Sequence, residues 1–194
     1  MNFSKSRIAP ILILAAALSF YALTQSGLST IRLFSKAFAV SAVILLSVSL
    51  AIGPLSRLVP AIRPLVAHRK YWGVVGFGFG LLHAALAFSD PLIFSAELAL
   101  SRPNVRLGLM ALIVFALLAV TSNAWAMRKL GGKNWKRLQQ LGYLGLVLVG
   151  LDLLVLADGT FIRTPLGLFL GLLVAAALAL AAVQYIRGLK RPAP

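Results

Sequence analysis

Apolar stretches of bilayer length are the feature that most constrains this chain. A membrane-spanning helix needs about 20 predominantly apolar residues, and the breaks between these stretches carry Pro, Gly and charge, as helix ends do. The stretches lie at Ile8–Leu23, Ala37–Leu55, Tyr71–Phe88, Leu107–Met127, Leu141–Ala157 and Pro165–Ile186. They predict an all-α, polytopic membrane bundle of six helices, a single transmembrane domain over residues 1–194 with no separate extramembrane domain.

Composition excludes several classes of protein. The chain is 60% apolar and 12% charged, whereas soluble domains are about 45–50% apolar and 25% charged. The absence of cysteine rules out disulfides, iron–sulfur clusters, thiolate metal sites and covalently attached c-type haem. The net charge of +15 comes from cations at the ends of the apolar stretches. This placement predicts the lipid bilayer as a partner and excludes nucleic acid.

The same cations predict the orientation of the bundle. Fourteen of the nineteen Lys and Arg fall at the two termini and in the second and fourth connections, and five fall on the other side. Positive residues mark the cytoplasmic side, so we expect both termini there, in a multi-pass protein of the bacterial inner (plasma) membrane. The acidic Asp90, Glu97 and Asp158 agree, because all three lie on the outer side. We expect the first stretch to be a retained span rather than a signal peptide.

Two ionisable side chains fall at membrane depth. His83 lies twelve residues into the third predicted helix, about 18 Å from its inner end. Asp152 lies eleven residues into the fifth, which runs in the same direction. Such residues are costly in a bilayer and are candidates for function. Three interpretations stay open: a His83–Asp152 hydrogen bond that ties two helices together, a cofactor-binding or proton-handling role for His83, and a lone histidine satisfied by backbone or water.

Two further patterns each have a structural and a functional interpretation. Small residues recur on the His83 face of the third helix, at Gly73, Gly76, Gly80, Ala84 and Ala87. They favour close helix packing, and the alternative is a smooth surface for a flat macrocycle. The segment Thr121–Gly131 collects hydroxyl, amide and indole groups. It is typical of a membrane-interface belt, and the alternative is a docking surface for a quinone or flavin.

A set of motifs runs from about the second helix to the fifth: Leu100–Pro103, Leu107-Gly108, Thr121-Ser122 with Arg128–Gly131, the residues Trp135, Leu138 and Tyr143, and Arg69–Gly73 followed by His83. These motifs resemble the ferric-reductase-like transmembrane family, within it the haem-binding membrane subunits of periplasmic methionine sulfoxide reductases. The resemblance implies a six-helix protein that holds b-type haem through histidines. It also implies electron transfer from flavin (FMN) or quinone to a periplasmic molybdenum-containing reductase.

The resemblance places three haem histidines, of which this sequence keeps one. That one is His83, while Gln139 and Asp152 stand at the other two positions. The chain's second histidine, His68, precedes His83 by fifteen residues, or roughly 22 Å along a helix. Two imidazoles on one iron need nitrogens about 4 Å apart, so the two histidines cannot share an iron. We therefore expect at most one haem b per chain, with His83 as the candidate iron ligand.

Two functions follow from these residues. The first is a membrane partner or assembly subunit that keeps the family fold with degenerate haem binding. The second is a transmembrane electron carrier with one haem, which passes electrons from quinone or flavin to a periplasmic reductase. In either case the chain is at most the electron-transfer subunit of an oxidoreductase complex. A small-solute transporter is less consistent with the sequence, because no inverted repeat or pair of broken helices is evident.

Overall fold

The computed structural model describes residues 3–24, 29–89 and 101–189, and in these ranges every regular element is helical. Asp90 and Glu97 lie outside the described residues. Single-turn 3-10 segments occur at Leu156–Gly159 and Phe161–Arg163, and a longer one at Pro60–His68. The α-helices are α1 (Phe3–Thr24), α2 (Thr30–Leu58), α3 (Arg69–Phe88), α4 (Pro103–Val120), α5 (Ala124–Leu130), α6 (Gly132–Val155) and α7 (Pro165–Leu189).

The all-α prediction is confirmed, and many of these helices suit a bilayer. Five helical segments of the described ranges are long and apolar enough to cross a membrane. The described part of α1 adds a shorter apolar stretch, Ile8–Thr24. The five segments are Thr30–Leu58, Pro60–Phe88, Pro103–Val120, Gly132–Gly159 and Pro165–Arg187.

The prediction of one continuous helix over Leu107–Met127 is wrong. Helix α4 ends at Val120, and the short α5 starts after Asn123. The hydroxyl of Ser122 donates to the carbonyl of Leu118 at 2.6 Å, and Asn123 Oδ1 accepts from the backbone N–H of Ala126 at 2.7 Å. Such local hydrogen bonds compete with the helix and cap a new one. Apolar residues on both sides of the break concealed it in the hydropathy pattern.

Two other helices begin earlier in the chain than predicted. Helix α2 begins at Thr30 rather than Ala37, with Ser29 Oγ accepting from the N–H of Arg32 at 3.4 Å. Helix α6 begins at Gly132 rather than Leu141. Lys, Arg and Gln are good helix formers, so these helices continue past the apolar window into the charged connections.

Helix α2 is the central element of the bundle. It packs against α1, α3 and α7 and touches α6, while α4 packs against α3 and α6. Helices α2, α3, α4 and α6 thus form a ring in which α3 and α6 occupy opposite corners. The fully buried side chains include Leu45 of α2, Leu146 of α6 and Leu170 of α7. This ring sets the positions of the candidate site residues.

The small residues of α3 pack against α2, so the packing interpretation is confirmed. A Cβ on Gly76 would stand 3.1 Å from both Leu45 Cβ and Leu46 Cγ, and one on Gly73 would stand 3.0 Å from Ser49 Oγ. Glycine lets the two backbones approach this closely. A Cβ on Gly78 would meet no atom within 4 Å, so that glycine lies away from the contact.

Helix α2 continues through Pro54 near its C-terminal end. Proline has no N–H, so the Leu50 carbonyl, four residues earlier, loses its helical partner. The Tyr143 hydroxyl of α6 donates to that carbonyl at 3.2 Å. In addition, Gln184 Nε2 of α7 donates to the Pro54 carbonyl at 2.7 Å. Tyr143 therefore supplies the donor that α2 lacks at Leu50, and Gln184 adds a second hydrogen bond between helices one turn later.

We expect Tyr143→Phe to lower the free energy of unfolding by about 1 kcal/mol, because it leaves the Leu50 carbonyl without a donor. The measurement is unfolding in mixed micelles, monitored by circular dichroism. In a Pro54→Ala background the N–H of residue 54 can serve Leu50, so the same substitution should cost much less. An equal cost in both backgrounds would contradict this account of the hydrogen bond.

Candidate functional site

His83 is anchored through one ring nitrogen. Its Nδ1 lies 3.0 Å from the backbone oxygen of Ser35 on α2 and 3.0 Å from Ser35 Oγ. A carbonyl only accepts, so the neutral imidazole carries its proton on Nδ1. Metal-binding histidines commonly donate the second N–H in this way, which fixes the ring and its tautomer. The lone pair on Nε2 is then the one available to a ligand.

The proposed hydrogen bond between His83 and Asp152 is not formed. Ser35 is instead the partner of His83, through Nδ1, and a role for Nε2 in cofactor binding stays a prediction. His83 lies on α3 and Asp152 on α6, and these two helices occupy opposite corners of the ring. Within the part of the chain that the structure describes, the carboxyl of Asp152 makes no hydrogen bond or ion pair, and the residue is half-buried.

The two residues nevertheless lie at similar depth. On α6, Asp152 lies two turns C-terminal to Gly145. A Cβ on Gly145 would stand 2.9 Å from the Phe115 ring of α4. Because α4 runs in the opposite direction, two turns from Phe115 lead to Gly108. On α3, His83 is three residues beyond Gly80, whose Cβ position lies 3.7 Å from Leu112 Cδ1. This register also leads to the region of Gly108.

There is open space at that level. A Cβ on Gly108 would have no atom within 4 Å. His83 and Asp152 therefore flank α4 where it carries no side chain. The arrangement places one imidazole and one carboxyl at the same depth of the bundle without bringing them into contact.

Gln139 lies two turns into α6, towards its N-terminal end, and has a different environment. Its Nε2 is 3.4 Å from Ser122 Oγ and 3.5 Å from the Leu118 carbonyl. The side chain thus bridges α6 to the last turn of α4. An amide offers no imidazole nitrogen for haem iron, so Gln139 acts here as a link between helices.

A cavity of about 1060 Å³ lies at this end of the bundle, between α2, α3, α4, α6 and α7. Gln139 lines it, and neither histidine does. Four cations line it as well: Arg57, Arg69, Lys70 and Lys136. Sequence reasoning assigned these cations to membrane orientation alone and missed the cavity, because five helices from distant parts of the chain enclose it.

The end of α4 has the character predicted for a membrane-interface belt. The Thr121 hydroxyl donates to the Leu117 carbonyl at 2.7 Å, and the Trp135 indole donates to the Thr121 carbonyl at 2.8 Å. Trp125 is 62% exposed, and Lys129 Nζ lies 4.9 Å from the centre of its ring. An exposed indole beside a cation suits the headgroup region.

The residues present can supply one histidine ligand to a haem iron, but the two histidines of one chain cannot bind the same iron. His83 has a fixed ring and an available Nε2, whereas His68 is buried near the start of α3, stacked on Trp72 with ring centres 6.3 Å apart. No group of three or more metal-ligating side chains occurs among the described residues.

Comparison with known proteins identifies the family. The model of the ferric reductase like transmembrane component matches residues 38–150. The chain belongs to this family. The match contains His83 and Gln139 and ends two residues before Asp152, so it covers most of the ring of α2, α3, α4 and α6. Together with the apolar helices, this membership makes the chain a multi-pass membrane protein of the ferric-reductase-like type.

Individual relatives agree with the family match. The chain is 35% identical to the protein-methionine-sulfoxide reductase heme-binding subunit MsrQ of Bordetella pertussis, over 71% of this chain and 70% of that protein. It is 32% identical to MsrQ of Agrobacterium fabrum, over 75% of this chain and 69% of that protein. The magnetosome protein MamZ of Magnetospirillum gryphiswaldense is 32% identical over 58% of this chain and 18% of its own length.

Proposed function

We propose that this chain is a membrane subunit of an oxidoreductase complex with degenerate haem binding, holding at most one haem b. The observation that carries the proposal is the single suitable imidazole, His83, held by Ser35 at outer depth. Gln139 bridges two helices instead of offering a ligand, and Asp152 supplies a carboxyl at the depth of His83. Relatives named heme-binding subunits support the haem assignment.

The role that fits this reduced site is that of a membrane partner or assembly subunit. We place it in the bacterial inner membrane as a single transmembrane domain of six spans, with both termini cytoplasmic, because most cations lie on that side. The relatives are named as subunits of a methionine sulfoxide reductase. A periplasmic molybdenum-containing reductase is therefore our proposed partner.

A second candidate function is a one-haem transmembrane electron carrier. The Nδ1 hydrogen bond of His83 favours it, because this bond orients the ring as in metal-binding histidines. A single proximal histidine suffices to hold haem in globins and peroxidases. The electron donor in this case is FMN or a quinone on the cytoplasmic side, and the acceptor is the periplasmic reductase.

The absorption spectrum of the protein purified in mild detergent tests both candidates. We expect less than one b-type haem per chain in the dithionite-reduced minus oxidised spectrum, because only one axial histidine is present. His83→Ala should abolish the haem signal, while His68→Ala should leave it unchanged. A full-strength haem band would favour the electron carrier, and equal loss in both variants would refute His83 as the ligand.

A further inference from the structure

We infer that the cavity at the inner end of the bundle binds an anionic phospholipid of the cytoplasmic leaflet. The cations at the rim bind its phosphate, and an acyl chain lies between the helices. The inference rests on the proposed orientation and is independent of the haem content.

The charge of the cavity selects an anion. Arg57, Arg69, Lys70 and Lys136 line it, and no acidic side chain of the described residues does. Arg69 is also held in place: its Nη1 would lie 3.0 Å from a Cβ on Gly53, so the missing side chain of Gly53 makes room for the guanidinium. Guanidinium groups bind phosphate through paired, charge-assisted hydrogen bonds. Basic pockets between helices on the cytoplasmic side are typical sites for anionic lipid headgroups.

The apolar side chains inside the cavity favour a ligand with a large apolar part. Leu46, Leu50, Phe115, Leu118 and Leu178 line it. Five of its polar side chains already donate hydrogen bonds to backbone carbonyls of the protein: Ser49, Ser122, Trp135, Tyr143 and Gln184. Apart from the four cations, few donors therefore remain for a ligand rich in ring acceptors, such as a flavin. An acyl chain needs no donor.

The size and opening of the cavity fit this ligand. Small-molecule sites typically measure about 300–1,000 Å³, and this cavity measures about 1060 Å³. Tyr185 and Val66 line it and are 71% and 40% exposed. The cavity is therefore open at the surface of the bundle, where a lipid can enter from the side.

Native mass spectrometry of the full chain, titrated with dioleoyl phosphatidylglycerol or dioleoyl phosphatidylcholine, tests the inference. We expect one tightly bound phosphatidylglycerol and much weaker binding of phosphatidylcholine. The pair Arg57→Gln and Arg69→Gln should weaken phosphatidylglycerol binding about 25-fold, at about fivefold for each cation. The matched pair Arg128→Gln and Lys133→Gln removes two cations of the inner side that do not line the cavity, and it should leave the affinity unchanged.

Two more variants separate the effect of the cavity on lipid binding from the effects of charge and of the haem. Ala181→Phe should reduce lipid binding by filling the cavity while keeping all four cations. His83→Ala, which tests the proposed function through the haem spectrum, should leave lipid binding unchanged. Equal affinity for both lipids, an equal loss in the matched pair, or unchanged binding in Ala181→Phe would overturn the inference. So would displacement of the lipid by an equimolar amount of FMN, which would assign the cavity to a flavin phosphate.

Discussion

Asp152→His should give this protein a low-spin haem b held by two imidazoles. His83 and residue 152 lie at similar depth on the two helices that pack against α4, at the level of Gly108, where a Cβ would have no atom within 4 Å. A second imidazole at residue 152 would supply the axial ligand that a carboxyl does not. We expect the haem content to rise to about one per chain, because a haem with two protein ligands is retained through purification better than one with a single ligand.

Optical and electron paramagnetic resonance spectra of the purified variant measure this change. The reduced variant should show a sharp α band and no reaction with carbon monoxide, whereas any haem on the wild type should bind carbon monoxide at its open position. Leu151→His is the matched control, because residue 151 is at nearly the same depth but 43% exposed. It should leave the spectrum unchanged. A variant at residue 152 that binds no more haem than the wild type would show that the two positions do not face a common site.

Gly76→Leu should cause the largest loss of stability among substitutions on α3. A Cβ there would already stand 3.1 Å from Leu45 and Leu46 side-chain atoms and 3.3 Å from the Leu46 backbone nitrogen. The backbone atom cannot move aside as the end of a flexible side chain would. Overpacking of this kind costs about 3 kcal/mol, and separating α2 from α3 would also move Ser35 away from His83.

Gly78→Leu provides the matched control on the same helix. A Cβ at residue 78 meets no atom within 4 Å, so the larger side chain should be accommodated with little change in unfolding free energy. Unfolding in mixed micelles, followed by circular dichroism, compares the two variants. Similar losses at both positions would mean that the tight contact between α2 and α3 does not control stability.

The sequence predicted the class of fold well and part of the candidate site. Long apolar stretches predict helices without any knowledge of which helices pack together. His83 stands out because few ionisable residues fall within these stretches. Its partner Ser35 could not be predicted, because it lies 48 residues earlier and serine gives no distinctive signal. Equal depth of His83 and Asp152 follows from counting residues, but their separation at opposite corners depends on which helices pack together.

The helix break at Thr121–Asn123 and the inner cavity were missed for different physical reasons. The break depends on hydrogen bonds from Ser122 and Asn123, which hydropathy does not register. The cavity depends on the spacing of five helices around it. The positions of Arg57 and Arg69 in the sequence indicate membrane orientation. That both also line the cavity can be known only from the structure.

The interruption of α2 at Pro54 bears on how the protein is made. During synthesis α2 precedes Tyr143 by 93 residues and Gln184 by 130 residues, the separations of its two stabilising hydrogen bonds. Until α6 is made, the Leu50 carbonyl lacks its donor from Tyr143. The central helix therefore gains these two hydrogen bonds only late in translation, after α6 and α7 have been made.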